Sequence, residues 1–293
     1  MPEKTLKEKT AKGLMWGTIS NGAQLVLGTL FGIFLARILS PSDYGMVGLL
    51  TVFSQIASVL QDSGFRTALA NRREIVHEDY NAVFWFNVGT SCVMYLLLFF
   101  LAPLITEFYQ HSDAAANQDL SELTPLARFS FLGFVIASLG TAHYAYLFRT
   151  LQVKQKAIIT VISLTTSSTI GLTMALKGYA YWGLATQGIA FTTCNTILFW
   201  YFSKWRPTLP VSFHPLKEMF GFSSKLLAND ICNNINGNIL SVMLGRFYAV
   251  HDVGLYNQAN KWTSMVSTMV LGTIKDVAQP VLRNVETERE RHK

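Results

Sequence analysis

Lys225, Asn229, Asn233 and Asn236 follow one another at intervals of four, four and three residues, inside a segment otherwise apolar enough to enter a membrane. On a helix this spacing puts one amine and three amides in a single stripe. Lipid cannot satisfy an amide, so the stripe must face protein or water. Asp230 and Asn234 broaden it. A neighbouring segment aligns Lys261, Ser264, Thr268 and Lys275, and the first segment aligns Asn21, Gln24 and Gly28. The chemistry these side chains could do together is that of a hydrated cavity whose cationic groups attract an anionic substrate. The same groups also serve as hydrogen-bonding glue between helices, the reading that suits Asn21 and Gln24 taken singly. As a set, the Lys225–Asn236 stripe reads as a cavity wall.

Signs of catalysis are missing from the chain. It has no Gly-x-Ser-x-Gly string, no phosphate-binding glycine loop and no His-Glu-x-x-His string. No catalytic residue, metal ligand set or cofactor is assigned, and an enzyme is not expected. Cys92, Cys194 and Cys232 lie in three different apolar segments without Cys-x-x-Cys spacing, and read as buried, inert thiols.

The elements that position these residues are membrane spans. Half of the 293 residues are hydrophobic and 14% are charged, against about 25% charged in a soluble domain. The expected fold class is an all-α polytopic membrane protein with eight transmembrane helices, at roughly 13–39, 43–65, 82–105, 126–149, 157–177, 180–203, 217–246 and 254–280. Pro41 suits the first turn of a helix, and Ser40 with Asp43 approximates a capping box. Lys177-Gly178 divides helices five and six. Five tryptophans, Trp85, Trp182, Trp200, Trp205 and Trp262, fall near span ends, as an interfacial belt would.

Basic residues orient the spans. With the N-terminus inside, seventeen Lys and Arg lie in inside segments and four outside: Arg37, Arg128, Lys177 and Arg246. This bias predicts that both termini are cytoplasmic. The net charge of +6 is spread between spans and not gathered on one face, so nucleic acid is not an expected partner.

One string occurs twice. Leu35-Ala36-Arg37, five residues, Asp43-Tyr44-Gly45 returns as Leu244-Gly245-Arg246, five residues, Asp252-Val253-Gly254, an offset of 209 residues (35 to 244). Each copy closes one span and opens the next. Arg37 and Arg246 meet unpaired carbonyls, Asp43 and Asp252 meet free N–H groups, and Gly45 and Gly254 permit close packing. The motif therefore reads as structural. Six helices separate the copies, so the halves are parallel repeats about an axis along the membrane normal. The expected organisation is a basic cytoplasmic N-terminus (1–12), a six-helix lobe (13–206), the first two helices of a second lobe (207–282) and a charged cytoplasmic tail (283–293).

Several strings carry a family resemblance: Phe34-Leu-Ala-Arg-Ile-Leu-Ser-Pro-Ser-Asp-Tyr-Gly45, Gln61-Asp-Ser-Gly-Phe65, Val83-Phe-Trp-Phe-Asn87, Trp182-Gly-Leu-Ala-Thr-Gln187, Trp205-Arg-Pro207 and Gly254-Leu-Tyr-Asn-Gln-Ala259. On these the chain resembles bacterial O-antigen and exopolysaccharide flippases of the colanic-acid-exporter type. These belong to the multidrug/oligosaccharidyl-lipid/polysaccharide exporter superfamily. The resemblance implies an inner-membrane transporter that carries undecaprenyl-diphosphate-linked oligosaccharide to the periplasmic leaflet by alternating access. It implies membrane lipid as surroundings and the polysaccharide polymerase machinery as a further partner. Lysines would meet the diphosphate and asparagines the sugar hydroxyls. Where such proteins often place an Asp, this chain has Asn236-Gly237-Asn238. They also continue for four or more further helices, so a truncated chain is expected. The alternatives are an inactive fragment of such a transporter, or a drug/cation antiporter of the same superfamily.

Overall fold

The structure is a computed structural model and describes residues 6–62, 65, 69, 75–110, 120–150, 152–209, 212–265 and 267. Among these every regular element is a helix: α1 (Leu6–Ile38), α2 (Pro41–Asp62), α3 (His77–Gln110), α4 (Leu123–Arg149), α5 (Val153–Leu176), α6 (Ala180–Phe202) and α7 (His214–Phe247), then α8 (250–265). The protein is an all-α, multi-pass membrane protein. Helices α1 to α5 each hold a stretch long and apolar enough to cross a membrane.

Most helices run past the apolar limits expected for them, because their polar ends suit helix termini. In α3, Glu78 and Asp79 occupy the first turn, where free N–H groups favour acids. There Asp79 accepts the Val76 N–H at 3.0 Å. The Ser40–Asp43 capping box is complete. Ser40 N–H donates to Asp43 Oδ2 at 2.8 Å, and Asp43 N–H donates to Ser40 Oγ at 3.3 Å. Replacing Asp43 by alanine is expected to cost about 1 kcal/mol, read as a lowered midpoint of thermal unfolding in detergent. A midpoint within error of wild type would show that the box contributes nothing.

The α5–α6 turn closes as a Schellman motif. Gly178 takes φ +84°, which a residue without Cβ adopts readily. Its N–H donates to Ala175 O at 3.0 Å, and Tyr179 N–H donates to Met174 O at 3.1 Å.

Within the first six helices, α3 packs along α4, α5 along α6, α1 on α5 and α4 on α6. The two larger of its three apolar clusters fill most of this bundle. One gathers Leu49, Leu50, Tyr109, Leu126 and Phe131 with Val250 and Val253 of α8. The other gathers Phe65, Tyr80, Phe84 and Trp205 with Leu216 and Met219 of α7. Helix α7 therefore meets the bundle at both of its ends. Trp205, placed in the interfacial belt from sequence, is core instead, at 6% exposed. The cysteines also differ from expectation. Cys92 and Cys232 are exposed and Cys194 is half-buried, because they sit on outward helix faces, where lipid accepts a thiol as readily as a core does.

Candidate functional site

The two copies of the repeated motif touch each other. A Cβ built on Gly45 would run into the carbonyl oxygen of Val250, and one built on Gly254 into the carbonyl oxygen of Pro41. Residues 41 and 250 are themselves 209 apart, as are 45 and 254. Each copy thus presents its glycine to the other's first helical residue, the reciprocity that a two-fold contact demands. One turn further in, Gly48 faces the Asn257 side chain, again across equivalent positions. The seat continues along both helices. Gly32 lies against Trp262, Gly28 against Met265, and Gly245 against Leu49 and Tyr109. Asn238 Nδ2 donates to Gln55 Oε1 at 2.6 Å, and Ser241 Oγ donates to Asn257 Oδ1 at 3.0 Å.

The remaining motif residues lie around this seat. Arg37 is exposed in the last turn of α1. Arg246, in the last turn of α7, stands over the Phe108 ring at 5.5 Å. Asp252 lies in the first turn of α8, where its N–H donates to Ala249 O at 2.9 Å. Ala249 stands where the first copy has Ser40, so the second hairpin has no side-chain capping box.

The cavity candidates lie further along the helices. Asn229, Asp230, Asn233 and Asn236 are all exposed, within a segment of α7 that is uncovered from 228 to 237 except at Ile231 and Asn234, which are half-buried. Asn229 Nδ2 reaches Asp230 Oδ1 at 3.4 Å. The Lys225 side chain lies outside the described residues, as do Thr268 and Lys275. Lys261 is exposed, yet it continues the α8 face that carries Gly254 and Asn257 into the seat, four residues beyond Asn257. Asn21 is exposed, and Gln24 is half-buried with its Nε2 on Ser20 Oγ at 3.1 Å.

One feature with no signal in the spacing is the anchorage of the segment between α6 and α7. Asn81 holds Thr208 by both backbone groups. Its Nδ2 donates to Thr208 O at 2.8 Å, and its Oδ1 accepts the Thr208 N–H at 3.0 Å. Trp205 packs against His143, Phe84 and His77 with ring centroids 5.1, 5.7 and 5.7 Å away. His143 itself stacks on Trp200 at 4.4 Å. The segment is pinned to the bundle just before α7 begins.

Comparison with known proteins gives a consistent placement. The family model described as "Polysaccharide biosynthesis protein" matches residues 34–293. The chain is 28% identical over 98% of its length to the lipopolysaccharide biosynthesis protein WzxC of Escherichia coli (strain K12), covering 57% of that protein. It is 26% identical over 98% of its length to the succinoglycan biosynthesis transport protein ExoT of Rhizobium meliloti (strain 1021), covering 56%. It is 23% identical over 94% of its length to the teichuronic acid biosynthesis protein TuaB of Bacillus subtilis (strain 168), covering 56%. The chain thus spans about half the length of these relatives. No solved structure matches it. A family model that covers all but the first 33 residues, on an all-helical membrane chain with a repeated, self-contacting hairpin, places this protein in the polysaccharide biosynthesis protein family.

Proposed function

We propose that this protein serves as a flippase for an oligosaccharide carried on a polyprenyl diphosphate lipid, moving it from the cytoplasmic to the periplasmic leaflet of a bacterial inner membrane. The observation that carries the reading is the reciprocal seat between the two hairpins. Two parallel repeats that meet by a two-fold contact at one end can part there and close at the other, which is the rigid-body rocking of alternating access. The excess of positive residues in alternate loops supports a cytoplasmic N-terminus, with the hairpins on the far side. In this orientation the seat seals the periplasmic side. Asn21, Asp230 and Lys261 then line a space reached from the cytoplasm. Lys261 supplies a compact cation for the diphosphate, and the amide and carboxylate take sugar hydroxyls. The relatives named for lipopolysaccharide, succinoglycan and teichuronic acid biosynthesis support a polysaccharide precursor as the cargo.

The test is complementation of a strain lacking its own polysaccharide flippase. Expression of this protein is expected to restore surface polysaccharide. Lys261→Ala is expected to lower that recovery about tenfold or more at equal membrane abundance, as loss of one charge-assisted contact worth about 1.5–3 kcal/mol implies. No recovery with abundant, inserted wild-type protein would overturn the flippase reading. Full recovery with Lys261→Ala would remove that lysine from the binding site.

A further inference from the structure

Pro103 sits inside α3. A proline has no N–H, and its ring pushes aside the carbonyl four residues earlier. That carbonyl belongs to Phe99. Lipid cannot satisfy a freed backbone acceptor, so a proline within a span needs a donor from a neighbouring element. Here the donor comes from α4, whose Arg128 Nε–H donates to Phe99 O at 3.3 Å. The guanidinium also lies over the ring of the same residue, 4.2 Å from its centroid, and Arg128 is half-buried. One turn nearer the start of α4, Thr124 shares a hydrogen bond with Thr106 of α3 at 2.7 Å. Residues 124 and 128 lie on one face of α4, and 99 and 106 on one face of α3, since positions four and seven apart on a helix align. Helix α4 therefore braces α3 on both sides of the proline.

The part of α3 beyond the proline is the part that meets the second copy of the repeat. Tyr109, 1% exposed, lies against Gly245 of α7 with Leu49 of α2 beside it, and its hydroxyl donates to Leu49 O at 3.3 Å. The Phe108 ring lies under Arg246 of α7. Ile105 is buried in the same cluster as Val250 and Val253 of α8. Tyr109 is about 9 Å along the helix from Pro103, so a change of about 10° in the bend would carry it by about 1.5 Å. A shift of that size gives up most of the contact with a glycine, which has no side chain to follow it.

We propose that Arg128 is a positioning residue for the hairpin seat. Its Nε–H stands in for the N–H that Pro103 lacks, fixes the bend of α3, and so sets Phe108 and Tyr109 against the end of α7. The role needs a donor at a given reach more than it needs a charge. Nε ends a three-carbon stem, and a glutamine amide places its Nε2 at the same distance from the backbone. An arginine that only snorkelled to the outer surface would need its charge and not this hydrogen bond. The effect on export rests on the transport reading above; the replacement of the missing donor does not.

Arg128→Met keeps a long stem without a donor, and Arg128→Gln keeps the donor without the charge. Both are made in the full chain with Cys92, Cys194 and Cys232 replaced by serine. Phe108→Cys with Arg246→Cys reports where the end of α3 lies, through the yield of a short bis-maleimide cross-link measured by mass spectrometry of the digested protein. Arg128→Met is expected to lower that yield about fivefold or more, and Arg128→Gln to keep at least about half of it, the scale set by one unpaired acceptor in apolar surroundings. Methionine and glutamine variants that behave alike overturn the proposal, whether both keep the cross-link or both lose it. Pro103→Ala returns an N–H to Phe99 O and supplies a second arm. Arg128→Met is expected to lower the thermal midpoint in detergent, and to lower it by less than about half as much when Pro103→Ala is present, because both substitutions act on one acceptor. Equal shifts in the two backgrounds overturn the proposal. Surface polysaccharide in the complemented strain is expected to follow the cross-link, and a lost cross-link with unchanged export overturns the part given to Arg128 in transport. Cross-linking and unfolding read geometry whether or not the protein transports, so failure of the flippase reading is distinguishable from failure of the brace.

Discussion

Gly254→Val is expected to reduce restored surface polysaccharide to below about a tenth of wild type, with the protein still inserted and abundant. The new side chain would begin inside the carbonyl oxygen of Pro41. That neighbour is backbone, so no rotamer change relieves the clash, and the cost falls near the upper end of the about 1–3 kcal/mol typical of overpacking. A bias of that size between two conformations shifts their ratio by about 5–150-fold. The cost arises only where the hairpins are seated, so folding survives while the seated form is depleted. Reciprocity sharpens the expectation. Gly45→Val meets Val250 in the same way and is expected to fail to the same degree. The double variant is expected to be little worse than either single one, because both substitutions break one contact. Normal export by Gly254→Val would mean that the seat is not visited during transport.

The largest expected loss of stability follows removal of Trp205. This ring is 6% exposed and packs among His143, Phe84, Tyr80 and His77. Truncating a buried aromatic to alanine costs about 3–5 kcal/mol, and aromatic pairs add about 0.5–1.5 kcal/mol beyond area. Trp205→Ala is therefore expected to lower the thermal midpoint in detergent markedly, and Trp205→Phe to recover part of the loss. The substitution also frees the segment that Asn81 holds at Thr208, so α7 loses its anchor to the bundle. A Trp205→Ala protein within about 1 kcal/mol of wild type would show that this ring does not hold the segment.

The sequence already carried much of this molecule. Apolar runs located the helices, because a chain crossing lipid must close its backbone hydrogen bonds within each segment. Ser40, Pro41 and Asp43 announced a helix start that the structure builds with the predicted bonds. Gly178 announced a turn that needs positive φ. Trp205 was misjudged, since a tryptophan beside a span end fits an interfacial belt and a buried corner equally well by position alone. The glycines of the repeated motif read as permitting close packing, but nothing in their spacing said against what.

The candidate site was legible only as composition. Asparagine is compatible with water and with an amide-bearing neighbour, so the Lys225–Asn236 periodicity defined a stripe without saying what covers it. Asp230 looked like a flank of that stripe. Burial of Leu216, Met219, Ser223 and Gly245 instead sets it on the side facing the bundle.

The sequence by itself determined the all-helical membrane class and the 209-residue repeat, since these depend on local periodicity and on a string that recurs. Tertiary structure alone decided that the two copies seat on each other, and which face of α7 turns toward the first six helices. Those are relations between residues some two hundred positions apart, set by how close two backbones can come. A glycine has no side chain with which to announce its partner.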